Sequence, residues 1–353
     1  MRDIKTAVIT GATGMIGTAL TQYLLSRGIA VAACVRPGSA RIERLVDAQK
    51  ACGQQPRTHG QQSCAGAPQQ TDAGEQSENA KKTSGTLHII EADLEDLGAE
   101  NTCEKLCAAL GEADAFFHLG WAGTFGAAAR NDMPLQNKNI SYTLDAVKLA
   151  KRLGCQVFVG AGSQAEYGRV PEGQKLSAKT PAFPENGYGI AKLAAGQMSR
   201  IFCEEVGMRH IWIRILSVYG AWDTEKTMVM SAIDTLLNGG RPVFSPGEQL
   251  WDYLYAKDAA RALYLAAKSG KSGSIYPLGS GQVRPLKDYI ESIRKAANPS
   301  GELGIGELPY AQNQVMYLCA DIEELTKDTG FVPEYTFEEG ICETVAWRME
   351  RKK

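Results

Sequence analysis

Ser163, Tyr188 and Lys192 are the residues of this chain whose types and spacing could do chemistry together. Tyr188 and Lys192 lie four apart in Tyr188-Gly189-Ile190-Ala191-Lys192, a spacing that puts both side chains on one face of a helix. A free phenol has a pKa of roughly 10 and is a poor acid or base at neutral pH. A neighbouring ammonium favours the phenolate and lowers that value toward the working range. A hydroxyl from Ser163 would hold a substrate oxygen beside the phenol. Such a set moves a proton on or off an alcohol while another agent moves a hydride. A half-buried helix face with a solvated lysine presents the same spacing, so the surrounding elements must decide.

Ile4 to Thr10 is a short β-branched run of the kind buried in a parallel sheet. Gly11-Ala12-Thr13-Gly14-Met15-Ile16-Gly17 follows at once. Thr18 to Arg27 then carries Leu20, Leu24 and Leu25 on one side, and Gly28 supplies a stop. Strand, glycine loop and helix in this order predict a pyrophosphate site. Gly11 permits a tight turn, Gly14 lets the backbone approach the phosphates at the positive helix end, and Gly17 lets the helix pack on the strand. Strand two is expected from Ile29 to Val35. An Asp or Glu near its end would hydrogen-bond the ribose hydroxyls of NAD. Arg36 stands there instead, with Arg41 about one turn later. Guanidinium groups suit a 2′-phosphate, so NADP(H) is favoured over NAD(H). Two solvated arginines are the alternative.

The Gly-x-x-Gly-x-x-Gly spacing, the upstream Ser163 and Tyr188-x-x-x-Lys192 together resemble the extended short-chain dehydrogenase/reductases. More narrowly, they resemble the NAD(P)-dependent epimerase/dehydratase family that acts on nucleotide sugars. The resemblance runs through nearly the whole chain. Phe116 to Ala122 resembles the family's fourth strand and loop, and Asn139-Ile140 its Asn-Val before a long helix. Arg214 to Gly220, Trp251 to Tyr255 with Lys257-Asp258, and Gly330 to Pro333 with Glu339-Gly340 resemble its later segments. The resemblance implies an α/β, Rossmann-type doubly wound parallel sheet with a smaller C-terminal substrate-binding lobe. Residues 1–220 would form the dinucleotide-binding domain and 251–270 would return to it, with 221–250 and 271–353 forming the lobe. It also implies cofactor contacts at Thr13, Met15, Ile16, Leu119, Gly120, Ala122 and Leu216, and an acidic–apolar pair beside the adenine at Asp93-Leu94. Lys192 would reach the nicotinamide ribose as well.

The residues after Ser163 narrow the reaction. In the family's 4,6-dehydratases two acidic residues follow the matching hydroxyl residue and eliminate water. Here Gln164 and Ala165 stand there, neither with a proton to exchange in this range, so dehydration is not expected. Glu166 occupies a position that is usually apolar in the family, and both a pocket carboxylate and a structural ion pair are open. Substrate contacts are expected at Gln164, Glu166, Ser217 and Trp251. Trp251 replaces a family arginine that meets the nucleotide diphosphate, which leaves Lys226, Arg241 and Arg284 as alternative phosphate partners. The expected activity is reduction of a 4-keto nucleotide sugar with Tyr188 as proton donor. The alternatives are a nucleotide-sugar 4-epimerase with retained NAD and a non-catalytic dinucleotide-binding sensor, which would not need the Ser163, Tyr188 and Lys192 set.

Bulk properties fit these expectations. Of 353 residues 44% are hydrophobic, enough for a substantial core, and the net charge of −2 gives no basic footprint for nucleic acid. No apolar stretch approaches the roughly 20 residues of a membrane span. Met1-Arg2-Asp3-Ile4 enters a strand directly with no secretory signature, so a cytoplasmic location is expected. Nine cysteines show no metal-like pairing, and no metal site is expected. Ala51 to Gly85 is poor in large apolar residues and reads as an insertion or long surface loop. Its Cys52, His59 and Cys64 make no convincing ligand set. Apolar faces on helices near Ser141 to Leu153 and Tyr188 to Val206 match those that form a four-helix dimer interface in the family, so a homodimer is expected.

Overall fold

In the computed structural model, which describes residues 3–53 and 84–352, seven parallel strands form the central sheet. Six are β1 (Thr6–Thr10), β2 (Ala30–Val35), β3 (Leu87–Glu91), β4 (Ala115–His118), β5 (Val157–Ser163) and β6 (Arg209–Ile215). Their order is β3-β2-β1-β4-β5-β6, followed by the edge strand Ser274–Leu278. This is the doubly wound sheet that the sequence predicts. The winding reverses between β1 and β4, and a crevice opens there at the carboxyl ends of the strands.

Alternation along the strands sorts the core into two layers, because successive side chains point to opposite faces. Ala7, Ile9, Phe117 and Val159 meet Leu20, Leu24 and Leu25 of α1 (Met15–Ser26) and Leu45 of α2 (Glu43–Gly53). Val8, Phe116 and Phe158 meet Leu106 of α3 (Glu100–Leu110) and the helices of the opposite face. A short helix α4 (Ala127–Arg130) precedes the long α5 (Met133–Arg152), which packs on α6 (Gly187–Glu205). α5 starts well before the expected Ser141. Asp132 caps it by accepting the Leu135 N–H at 3.1 Å, and Pro134 sits in its first turn.

The edge strand Ser274–Leu278 corrects the expected division of the chain, which assigned everything from residue 271 to the lobe. Tyr276 and Leu278 are fully buried, and the strand pairs with β6. The lobe itself holds short strands and the helices Met228–Leu237, Leu286–Ala297 and Phe337–Arg351. Their shared core centres on Phe337, whose ring lies 4.7 Å from that of Tyr219 and 4.6 Å from that of Tyr289. Asp252 fixes the lobe to the sheet edge by accepting N–H groups of Ser280, Gly281 and Ala320. Residues 54–83 of the expected insertion, with His59 and Cys64, lie outside the described residues. Among the described residues no helix is long and apolar enough to cross a membrane.

Candidate active site

The last residue of β5 and the first turn of α6 come together at the crevice. Asn186 caps α6 by accepting the Gly189 N–H at 2.9 Å, which places Tyr188 in the first turn and Lys192 one turn later. Ser163 ends β5, and its Oγ accepts the Ala165 N–H at 3.2 Å. The Ser163 hydroxyl also lies beside the Tyr188 phenol, near enough to favour its ionised form. The structure therefore brings Ser163 and Tyr188 into contact, with Lys192 beside them.

The electrostatics differ from the expected pattern. Lys192 is buried at 3% exposure, its Nζ donates to the Ala161 carbonyl at 2.5 Å, and it lies 3.7 Å from the centre of the Trp121 ring. Burial disfavours the ammonium and pushes its pKa down to about 7, against the Glu166 charge, which favours it. Burial pushes the Tyr188 phenol above its ordinary value, while the Ser163 hydrogen bond and the Arg130 charge pull it down. The expected lowering of the phenol by Lys192 is not what the geometry gives. The Lys192 Nζ is 5.9 Å from the Tyr188 ring centre and faces Trp121 and Ala161 instead. Beneath it, His118 contacts Thr10 Oγ1 at 2.9 Å and Thr143 Oγ1 at 3.3 Å. Burial pushes its pKa down to about 3, so the imidazole is neutral at working pH.

Glu166 is not a pocket residue, and the ion-pair alternative describes it. It is fully buried, and its Oε2 accepts from Arg214 Nε at 2.7 Å. Its Oε1 accepts the Ser163 N–H at 2.8 Å and the Trp212 indole N–H at 3.0 Å. Gln164 is partly buried, and its Oε1 has no hydrogen-bond partner. Ser217 and Trp251 meet each other, the indole N–H donating to Ser217 Oγ at 2.8 Å. Of the alternative phosphate partners, Arg241 pairs with Glu307 and Arg284 with Glu338, whereas Lys226 faces the groove described next.

A groove of about 1170 Å³ runs over the glycine loop and is lined by Gly11, Thr13, Gly14, Met15, Ile16 and Gly17. Arg36, Arg41, Asp93, Leu94, Leu119, Gly120 and Ala122 also line it, whereas Lys192, expected to reach the nicotinamide ribose, is buried behind Trp121 and Ala161 and is not among the lining residues. Leu216 departs from expectation. It packs with Tyr167, Leu176, Leu318 and Ala320 under the lobe, and its neighbour Ile215 lines the groove. The loop fits a dinucleotide cradle on steric grounds. Gly11 has φ +70°, and a Cβ there would sit 2.6 Å from the Gly120 nitrogen, so only glycine leaves the floor flat.

One wall of the groove was not foreseen. Arg44 Nη1 donates to the carbonyls of Thr13 at 3.0 Å and Trp222 at 3.3 Å, tying the glycine loop to the segment after β6. Trp222 takes φ +69°, a left-handed conformation that costs a non-glycine residue on the order of 1–3 kcal/mol. Its ring is held by Arg44 at 4.8 Å, Arg351 at 3.6 Å and Trp347 at 5.0 Å. Arg41 and Arg44 share one face of adjoining helical turns, and that spacing was the available signal for Arg44. Trp222 and Arg351 meet only through the tertiary fold.

The sequence model of the NAD dependent epimerase/dehydratase family matches residues 7–279. A dTDP-glucose 4,6-dehydratase of Escherichia coli is 27% identical over 222 residues, covering 57% of this chain and 61% of that protein. The same enzyme of Streptomyces niveus is 23% identical over 55% of this chain and 58% of its own. The chain thus spans about three fifths of the length of these relatives. Among solved structures, the UDP-N-acetylglucosamine 4-epimerase from Methanobrevibacter ruminantium in complex with UDP-N-acetylmuramic acid superposes with a TM-score of 0.77 at 23% identity, covering 99% of this chain and all of that one. RMD from Pseudomonas aeruginosa complexed with NADPH gives 0.73 at 19% identity, covering 98% and 99%.

Proposed function

Because the chain belongs to the NAD dependent epimerase/dehydratase family, we propose that it binds a nicotinamide dinucleotide in the glycine-loop groove and reduces a 4-keto nucleotide sugar. The dinucleotide supplies the hydride. The chain's own groups handle the proton and the substrate oxygen. Ser163 holds that oxygen beside the phenol, and Tyr188 Oη gives it a proton as the carbonyl becomes an alcohol. Lys192, anchored on Ala161 and Trp121, positions the ribose. Gly11, Gly14 and Gly17 would hold the pyrophosphate at the start of α1.

The observation that carries this reading is the state of the carboxylate nearest Ser163. Elimination of water needs free acidic groups at the sugar, and Gln164 and Ala165 offer none. Glu166 is buried and engaged by Arg214, Trp212 and the Ser163 amide. The phenol is left as the proton carrier, which suits redox chemistry at one carbinol. This supports a reaction other than the elimination carried out by the dehydratases it is similar to.

Arg36, Arg41 and Arg44 line one end of the groove, and these guanidinium groups support a 2′-phosphate and hence NADP(H) over NAD(H). The second reading is a 4-epimerase that keeps its NAD. The Arg44 bridge between the Thr13 and Trp222 carbonyls favours it, because it narrows the exit of a bound dinucleotide. Mixing the protein with NADPH and 4-keto-6-deoxy nucleotide sugars separates the two. Loss of the reduced nicotinamide's near-ultraviolet absorbance is expected. No loss with any of them, together with redox-neutral interconversion of a nucleotide hexose, would establish the epimerase. Mass analysis of the dinucleotide retained on purification checks the NADP assignment.

The proposal extends to a homodimer through α5 and α6. Ile190, Met198 and Ile201 of α6 are 51%, 46% and 48% exposed, an apolar stripe at helical spacing that a second copy would cover. Light scattering on dilute protein is expected to give twice the chain mass, and Ile201→Glu is expected to shift the protein toward monomer. A single-chain mass for the parent protein would refute the assignment.

A further inference from the structure

We propose that Trp121 is a positioning residue for Lys192, its indole face carrying the ammonium at 3.7 Å from the ring centre. This role rests on the reading of Lys192 as the partner of Tyr188 and the ribose, and deepens it. The ring is shared by three parts of the site. It carries Lys192, stands at 84° to the Tyr188 ring with the centres 6.1 Å apart, and lines the dinucleotide groove together with Ala161. It belongs to none of the apolar cores among the described residues. Core packing therefore does not account for its place.

Two buried amides of α5 hold it instead. The indole N–H donates to Gln136 Oε1 at 2.9 Å, and Gln136 Nε2 donates to the carbonyls of Gly123 and Ala129, each at 2.9 Å. Gln136 is 1% exposed, so both of its donors and its acceptor are used inside the protein. One turn later, Asn139 Oδ1 accepts the Ala122 N–H at 2.8 Å and Asn139 Nδ2 donates to the Ala122 carbonyl at 3.0 Å. Trp121 is thus fixed by its own side chain and by the backbone beside it. Buried polar groups satisfied in this way specify a single geometry.

Lys192 needs what this ring supplies. An ammonium has three donors, and among the described residues the Ala161 carbonyl is the one acceptor it meets. An indole offers a cation the best of the aromatic faces within about 6 Å, and the attraction grows as the cation is desolvated. The titratable groups around Lys192 are Glu166 beyond the end of β5, His118 of β4 and Tyr188 one turn earlier on α6. Glu166 favours the ammonium from a distance, but its carboxylate is engaged by Arg214. His118 is neutral at working pH. Besides the Ala161 carbonyl, the indole is the direct contact that favours the charged form of Lys192.

The test needs no substrate, so its failure is distinct from failure of the reductase assignment. Protein labelled with carbon-13 at the lysine Cε is titrated by NMR, with the Lys192 signal identified from Lys192→Met. Trp121→Leu is expected to move the Lys192 midpoint down by about one pH unit or more, because the π attraction that favours the ammonium is gone. A midpoint that stays or rises would mean that the indole only excludes water, and would overturn the proposal. Tryptophan fluorinated on its six-membered ring keeps the shape of the side chain and weakens its π face, so it carries the comparison if the leucine variant does not fold. The Lys192 midpoint is then expected to fall with each added fluorine, and a midpoint indifferent to fluorination would overturn the proposal as well.

Discussion

Tyr188→Phe is expected to lower kcat by roughly 10²–10⁴-fold, the range over which a positioned proton donor contributes. Dinucleotide affinity should stay nearly unchanged, because the groove lining lies along the glycine loop, β2 and the β4 loop and does not include the Tyr188 side chain. Only one oxygen is removed, so the ring stays under Arg130 and against Trp121. Steady-state turnover and dinucleotide titration on the same preparation separate the two effects. Persistent turnover would mean that another group donates the proton. Ser163→Ala should retain more activity than Tyr188→Phe if Ser163 orients the substrate oxygen, as proposed, while Tyr188 supplies the proton.

The second large effect falls on stability. Glu166→Ala removes the acceptor of Arg214 Nε, the Trp212 indole and the Ser163 amide at once. Arg214 is 3% exposed at its side chain and covers the Tyr167 ring at 4.4 Å, so its charge cannot reach water without opening the core. Breaking a buried pair from one side costs about 3–5 kcal/mol, because the remaining charge is left uncompensated. Urea unfolding is expected to show a loss of that size. Replacing both partners, Glu166→Leu with Arg214→Leu, should recover a large part of it. A loss below about 1 kcal/mol would mean that the pair behaves as a screened surface pair. Activity should fall as well, since the carboxylate anchors the Ser163 backbone.

The grouping of Ser163 and Tyr188 with Lys192 beside them was legible because each residue follows a local signal. Ser163 ends an apolar strand, and Tyr188 and Lys192 share a helix face after the Asn186 cap. The glycine loop was legible because Gly11, Gly14 and Gly17 each meet a local steric demand. Sequence did not show what the fold brings from afar. Arg130 ends the short helix α4, and its position over Tyr188 depends on how that segment docks on Gly187. Leu216 and Ile215 are adjacent, and only the twist at the end of β6 decides which of them faces the groove. Glu166 read equally as a pocket carboxylate or an ion pair until the register of β5 on β6, with Gly162 opposite Arg214, fixed its partner. The early start of α5 was encoded in Asp132 and Pro134, signals that an apolar-face reading passes over. The edge strand Ser274–Leu278 carries its own apolar run, but whether such a run closes the sheet or enters the lobe is a matter of topology.

The wall built by Arg44, Trp222 and Arg351 joins the beginning, the middle and the end of the chain. Arg351 is ion-paired to Asp47, 304 residues away in sequence, and its guanidinium rests on the strained Trp222 that borders the groove. A dinucleotide held in that groove, as proposed, would stabilise the contacts that complete it, including the docking of the helix Phe337–Arg351, whose Trp347, Arg348 and Arg351 line it. The coupling is reciprocal, so loosening the helix must weaken retention of the ligand by the same free energy. Amide exchange of that helix is expected to slow when the proposed dinucleotide fills the groove.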